Sequence, residues 1–142
     1  MSDNIAPVLV GVDGSEGSKQ ALRSAADYAQ LAGVPLQALI VWDNPTLAGK
    51  PGASDDVELE NQAESTLDET IASVLGDSVP VTRLVQHDYR AEIIVVASRD
   101  AQLVVLGSHG QGGWTASLLG SVSQQCTHHA HCPVLLMRSD GG

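Results

Sequence analysis

Apolar segments of two different periods alternate along the chain, and this alternation constrains the fold more than any other feature of the sequence. Short continuous apolar runs predict buried strands, whereas apolar residues spaced three and four apart predict helices. The predicted strands cover 8–12, 36–42, 79–85, 101–106 and 134–138, and the predicted helices cover 15–32, 54–75, 91–98 and 119–130. Strands that alternate with helices form a parallel sheet covered on both faces. The sequence therefore predicts an α/β fold with a five-stranded parallel sheet and four helices.

The composition agrees with this fold class. Aromatic residues make up 3% of the chain and phenylalanine is absent, so aliphatic side chains must fill the interior. Such a core is typical of parallel strands that are buried on both faces. A chain of 142 residues is long enough to bury one core, and we expect residues 1–142 to form one domain.

The charge excludes some partners. Seventeen acidic residues against seven basic ones give a formal charge of −10, and such a surface repels nucleic acids and anionic lipids. The sequence has no run of eighteen apolar residues and no basic, apolar start resembling a signal peptide. We therefore expect a cytoplasmic protein that binds neither nucleic acid nor membrane. Its two cysteines are then expected to be thiols rather than a disulfide.

Residues 107–121, GSHGQGGWTASLLGS, hold five glycines directly after the fourth predicted strand. Ligands of parallel α/β sheets bind beyond the carboxyl ends of the strands. Free backbone N–H groups in a glycine-rich turn and at a helix N-terminus bind anions without any lysine. The stretch therefore predicts a phosphate site, although a tight crossover alone would also explain the glycines. It is neither a Walker loop nor a dinucleotide fingerprint, because the required spacings are absent.

The spacing Gly107-x2-Gly110-x9-Gly120-Ser121 resembles the nucleotide-binding motif of the universal stress protein family, as do VLVGVDGSEGSKQAL near the start and HAHCPVLLMR near the end. The likeness extends over nearly the whole chain. It implies a three-layer, doubly wound, Rossmann-like sandwich of the adenine nucleotide alpha-hydrolase-like type. The resemblance further implies the strand order 3-2-1-4-5, which places strands one and four side by side. Members that carry the motif bind ATP.

The resemblance also implies the residues of an ATP site at the carboxyl edge. The first strand would supply a segment near the ribose and phosphates, Val41 would touch the adenine, and the glycine-rich stretch would hold the phosphates. An Mg²⁺ or Mn²⁺ ion would bridge the phosphate oxygens, with Asp13 as its candidate ligand. The residues implied in nucleotide binding are Gly11, Val12, Asp13, Val41, Gly107, His109, Gly110, Gly120, Ser121, Val122 and Ser123.

Three functions are compatible with these residues. The leading hypothesis is an ATP-binding stress regulator whose bound nucleotide alters partner binding. The alternatives are a slow ATPase or autophosphorylating enzyme, and a nucleotide-free dimeric interaction module. Many relatives carry a basic residue where this chain has Gln111, and no Lys or Arg lies within 100–137. The resemblance implies a homodimer through the last strand, Pro133 to Arg138. The stress and the downstream partner are not indicated.

Other candidate sites have two interpretations each. The segment CTHHAHC, residues 126–132, holds five possible zinc ligands, but its residues leave the helix at His131 and packing explains them better. Ser15 is expected to cap the first helix rather than act as a nucleophile. Asp13 could instead only anchor the turn into that helix. Trp42 and Trp114 could stack on a base or pack in the core.

The pair His87-Asp88 could act in acid–base chemistry. If the third strand is an edge strand, the pair lies away from the predicted crevice, and we expect it to form a surface turn.

Overall fold

In the computed structural model of the chain, residues 5–42, 55–87, 90–107 and 121–138 are described. Five β-strands alternate with four α-helices in these ranges. Their bounds are β1 Val8–Gly11, α1 Glu16–Ala32, β2 Leu36–Trp42, α2 Asp55–Leu75, β3 Thr82–His87, α3 Arg90–Ala97, β4 Leu103–Gly107, α4 Ser121–His129 and β5 Val134–Met137, with a short 3₁₀ helix, Ser98–Asp100, after α3.

The five strands form one parallel sheet in the order β3-β2-β1-β4-β5. β1 pairs with β2 on one side, with Gly11 opposite Leu39, and with β4 on the other, with Val10 opposite Val105. The strand order reverses between β1 and β4, since later strands are added on opposite sides of this pair. The predicted fold class and strand order are therefore confirmed, and β1 and β4 lie side by side.

Alternate residues of each strand enter different hydrophobic clusters, because successive side chains point to opposite faces of a sheet. Val8 and Val10 pack under α1 and α2, whereas Leu9 packs with side chains of α3 and α4. Helix α1 contributes mainly alanine to its cluster, with Ala21, Ala25 and Ala29 at helical spacing. These small side chains let the helix lie close to the sheet. Because both faces of the sheet are buried, the strands appear in the sequence as continuous apolar runs.

Glycines end the two long helices. Gly33 has a φ of 70°, and its N–H donates to the carbonyls of Ala29 and Gln30 at the end of α1. Gly76 has a φ of 65°, and its N–H donates to the carbonyls of Ile71 and Ala72. Glycine adopts this left-handed conformation without the steric cost of a Cβ. Both predicted helix ends are confirmed.

The predicted bounds of the third strand, 79–85, were wrong. β3 spans Thr82–His87, while Val79 and Val81 precede it and pack against the cluster under α1 and α2. Pro80 lies between them and has no N–H to donate to a neighbouring strand. β3 is an edge strand, which tolerates polar residues such as Gln86 and His87. Because the strand ends in polar residues, the apolar pattern of the sequence did not predict where it ends.

The fourth strand is also displaced from its prediction. β4 spans Leu103–Gly107, whereas 101–106 was expected. Ala101 donates its N–H to the carbonyl of Ser98, closing the 3₁₀ helix. Ala101 therefore belongs to the turn before β4, and the strand extends to Gly107. Among the helices that the structure describes, none combines the length and apolar character needed to cross a lipid bilayer.

Candidate functional site

The site predicted from the sequence lies at the carboxyl edge of the central strands. Val12 follows β1 directly and donates its N–H to the carbonyl of Leu39 on β2, 2.9 Å away. From the pairing of Gly11 with Leu39 and of Val10 with Val105, Asp13 comes level with Val41, and Val12 with Gly107. Adjacent strands are about 4.8 Å apart. The fold therefore brings Val12, Asp13, Val41 and Gly107 together.

The side chains of Val12 and Val41 are buried on opposite faces of the sheet. Val12 is in the cluster under α1 and α2, and Val41 packs with Ile94 in the cluster under α3 and α4. Their side chains thus belong to the core. At the edge these two residues are present through their backbone, and the N–H of Val12 is already bonded to the carbonyl of Leu39.

Asp13 anchors the turn from β1 into α1. Its Oδ1 accepts a hydrogen bond from the N–H of Ser15 at 2.9 Å, and its own N–H donates to Ser18 Oγ at 3.2 Å. Among the described residues, Oδ2 of Asp13 has no hydrogen-bond partner, and the side chain is half-buried. Asp13 therefore fixes the turn with one of its two carboxylate oxygens.

Ser15 caps α1, as predicted. Its Oγ accepts a hydrogen bond from the N–H of Ser18 at 3.2 Å, and its backbone is extended, which is the usual N-cap conformation. Ser18 Oγ in turn donates to the carbonyl of Ser15 at 3.0 Å. Both serines are buried, so this network is a rigid support for Asp13.

Gly107 makes a close approach that the sequence did not predict. A Cβ on Gly107 would lie 2.8 Å from the carbonyl carbon of Gly17 and 3.1 Å from the N of Ser18. The end of β4 thus packs directly on the backbone of the first turn of α1. A residue with a Cβ at position 107 would collide with that backbone, and no local pattern in the sequence indicates the contact.

Part of the predicted site falls on residues outside the described ranges. His109, Gly110 and Gly120 belong to this part, as do Gln111 and Trp114. Ser121, Val122 and Ser123 form the first turn of α4. The backbone therefore places a helix N-terminus after the glycine-rich stretch, where the sequence predicted it.

The expectation that His87 lies in a surface turn was wrong. His87 is the last residue of β3 and is paired with Trp42 at the end of β2. The two rings are stacked, with centroids 4.2 Å apart and an angle of 18° between their planes. Trp42 also packs against the cluster under α1 and α2. The neighbour Asp88 lies outside the described residues.

The segment 126–132 has separate structural roles along its length. Cys126 is buried in the cluster under α3 and α4, and burial raises the pKa of its thiol to about 12. The N–H of His131 donates to Ser98 Oγ at 2.9 Å, which ties the turn before β5 to the 3₁₀ helix. Within the described ranges, no group of three His, Cys, Asp or Glu side chains is arranged to hold a metal ion.

The strand order and the edge at β1 and β4 define a class of protein: doubly wound parallel α/β proteins whose ligand sites lie at the reversal of strand order. A sequence model of the universal stress protein family matches residues 4–138. The chain is 44% identical over 135 residues to the universal stress protein Rv2005c of Mycobacterium tuberculosis. The chain belongs to the universal stress protein family.

The match with Rv2005c covers 94% of this chain and 45% of the relative, so the chain spans about half the length of the curated relatives it matches. Solved structures share its fold. The universal stress protein UspA from Lactobacillus plantarum has a TM-score of 0.76 at 23% identity, covering 96% of this chain and all of that one. The Archaeoglobus fulgidus universal stress protein in complex with dAMP has a TM-score of 0.58 at 23% identity, covering 94% and 98%.

Proposed function

We propose that residues 1–142 form one domain that binds ATP at the carboxyl edge of β1 and β4 and acts as a nucleotide-responsive stress regulator. The observation that carries this proposal is the adjacency of β1 and β4, which brings the segment after β1, with Val12 and Asp13, next to the end of β4 at the point where the strand order reverses. This is where ligands of doubly wound sheets bind. A relative with the same fold, from Archaeoglobus fulgidus, was solved in complex with dAMP.

Backbone groups hold the phosphates in this proposal. No Lys or Arg lies within 100–137, so side-chain cations of this stretch cannot neutralise a triphosphate. The start of α4 at Ser121 supplies unpaired N–H donors and a partial positive charge. The motif glycines Gly110 and Gly120 allow phosphate oxygens to approach the main chain.

Asp13 is the proposed ligand of the metal ion or of the ribose. Its Oδ1 is committed to the N–H of Ser15, and its other oxygen faces no partner among the described residues. Mg²⁺ is held in nucleotide sites by one or two carboxylates together with phosphate oxygens. A single carboxylate at this position fits that requirement. The ion would neutralise phosphate charge that the acidic chain does not.

The test uses purified protein and two substitutions of Asp13. Asp13→Asn keeps the Oδ1 acceptor for Ser15 but removes the charge, whereas Asp13→Ala removes both. We expect Mg-ATP to bind the wild type in titration calorimetry, and Asp13→Asn to bind about tenfold more weakly because a charged contact is lost. The unfolding free energy of Asp13→Asn should stay near that of the wild type, while that of Asp13→Ala falls.

The glycine-rich stretch is tested with Gly110→Ala, and Gly33→Ala serves as a control because Gly33 ends α1, far along the chain from the motif. Nucleotide released on denaturing the purified proteins should be ATP or ADP from the wild type and from Gly33→Ala, and should be lost in Gly110→Ala. The ATP to ADP ratio reports turnover. A wild type that carries no nucleotide and takes up no Mg-ATP would overturn the proposal and favour the nucleotide-free module.

We further propose that two copies of the chain pair along β5, from Pro133 to Arg138. β5 is at the outer edge of the sheet, next to β4 alone, so the backbone groups of its free side have no strand partner within the described part of the chain. Leu135 is 42% exposed on this strand. An apolar, unprotected edge strand favours pairing with another chain.

A further inference from the structure

A groove between α3 and α4 lies apart from the proposed nucleotide site. It has a volume of about 360 Å³ and is lined by Glu92, Val95, Gln125, His129 and His131. This volume is near the lower end of the range of small-molecule sites, roughly 300–1,000 Å³. His131 precedes β5, so the groove extends toward the amino edge of the sheet. The proposed ATP site is at the carboxyl edge.

Arg99 borders one end of the groove through its contact with His131, which is one of the lining residues. Arg99, in the 3₁₀ helix after α3, donates from Nε to Nε2 of His131 at 3.4 Å. His131 is held there because its N–H donates to Ser98 Oγ. No carboxylate of the described residues lies within ion-pair distance of Arg99, in contrast to Arg83, which pairs with Asp68 at 2.8 Å.

This arrangement leaves the guanidinium of Arg99 with unused donors. Arginine has five N–H groups, and one of them is directed to Nε2 of His131. Arg99 is exposed, and no carboxylate of the described residues pairs with it. The planar fork of a guanidinium binds carboxylates with two parallel hydrogen bonds.

The other end of the groove is anionic. Glu92 is exposed, and within the described ranges no basic side chain is at ion-pair distance from it. It precedes Arg99 by seven positions, which corresponds to roughly 10 Å along a helix at 1.5 Å per residue. Val95, between them, gives the groove an apolar wall, and the amide of Gln125 faces it from α4.

We propose that this groove binds a small zwitterion, with its carboxylate at Arg99 and His131 and its ammonium group at Glu92. A short methylene chain would lie along Val95. A molecule with anionic groups alone fits less well, because Glu92 would repel a second negative charge. Inorganic phosphate, with a charge close to −2 at neutral pH, is disfavoured for the same reason.

The probe is 4-aminobutanoate, which carries both charges, compared with butanoate, butylamine and inorganic phosphate. Amide resonances of ¹⁵N-labelled protein are followed during each titration. We expect 4-aminobutanoate to give saturable shifts at Val95 and Gln125, with butanoate, butylamine and phosphate each about tenfold weaker because one charged contact is missing. Equal or tighter binding of phosphate would overturn the proposal, as would the absence of saturable shifts.

Two substitutions locate the charges. Arg99→Gln should weaken 4-aminobutanoate about tenfold, and Glu92→Gln should make 4-aminobutanoate and butanoate bind equally. Arg83→Gln is the matched control, since it makes the same charge change beside Asp68 and should leave the shifts intact. Shifts that persist in Arg99→Gln would overturn the proposal. ATP binding, measured in the same variants, should be unchanged, which separates this groove from the nucleotide site.

Discussion

At the scale of single residues, the left-handed glycine between β1 and α1 is fixed by its surroundings as well as by its backbone. Gly14 has a φ of 85°, and a Cβ there would lie 3.1 Å from Cγ2 of Thr66 on α2. Gly33 has a similar φ of 70° but no atom within 4 Å of its Cβ position. A side chain at Gly33 would therefore meet backbone strain alone, whereas one at Gly14 would meet both backbone strain and a steric contact.

We expect Gly33→Ala to lower the free energy of unfolding by about 1 kcal/mol, the cost of a left-handed residue with a Cβ. Gly14→Ala should cost about 2 kcal/mol, because Thr66 must also move. Urea unfolding measures both. Combining Gly14→Ala with Thr66→Ser, which removes Cγ2, should bring the loss back toward that of Gly33→Ala. If the loss stays the same in the double variant, the contact with Thr66 is not its cause.

Cys126 gives the stability a pH dependence in the alkaline range. Burial raises the pKa of its thiol from an ordinary value of 9.0 to about 12 in the folded chain. Above pH 9 the unfolded chain loses this proton while the folded chain keeps it. The burial of Cys126 therefore stabilises the protein fully below pH 9, and this contribution is lost as the pH rises toward 12.

The measurement is the unfolding free energy of the wild type minus that of Cys126→Ala as a function of pH. This difference should be constant below pH 9 and should then fall by about 1.4 kcal/mol for each pH unit. The subtraction removes the titration of other side chains. If the difference does not change above pH 9, the pKa of Cys126 is not raised in the folded chain.

At the scale of elements, the contact between β4 and α1 joins two segments that are far apart in the sequence and depends on the absence of a Cβ at Gly107. Gly107 does not have a positive φ, and its Cβ position is blocked by the backbone of Gly17. We expect Gly107→Ala to lower the free energy of unfolding by about 1–3 kcal/mol, as overpacking does. Because backbone atoms cannot rotate away as a side chain does, the loss should exceed that of Gly33→Ala. Urea unfolding measures both losses. If they are equal, the contact with the backbone of Gly17 does not add to the cost of a Cβ at position 107.

The elements also show where apolar patterns predict bounds well and where they do not. β1 and β2 were predicted to within a residue, because both faces of these strands are largely buried and their residues are apolar except for Gln37. β3 was placed three residues too early at its start, since as an edge strand it is exposed at both of its ends. The bounds of a strand can be predicted from apolar residues when the strand is buried, and less well when it is exposed at the edge of a sheet.

At the scale of the whole molecule, the proposed dimer can be tested at the edge strand. Leu135→Lys would place two positive charges near one another across a two-fold edge pairing, and we expect it to shift the chain from dimer to monomer in sedimentation equilibrium. Leu31→Lys is the matched control, because Leu31 is 89% exposed on α1, outside the edge strand. A wild type that sediments as a monomer would contradict the pairing. A Leu135→Lys variant that remains a dimer would place the interface elsewhere.

The sequence by itself determined the element types, the strand–helix alternation and the helix ends at Gly33 and Gly76, because these follow from local periodicity and backbone freedom. The family motif predicts a ligand site at the carboxyl edge of the sheet, and it includes Asp13 and Gly107, which the fold brings to that edge. The close packing of Gly107 on Gly17, the stacking of Trp42 on His87 and the pairing of Arg99 with His131 were decided only by the tertiary structure. Each joins residues that are far apart in the chain, and no local pattern in the sequence records which distant segment will become a neighbour.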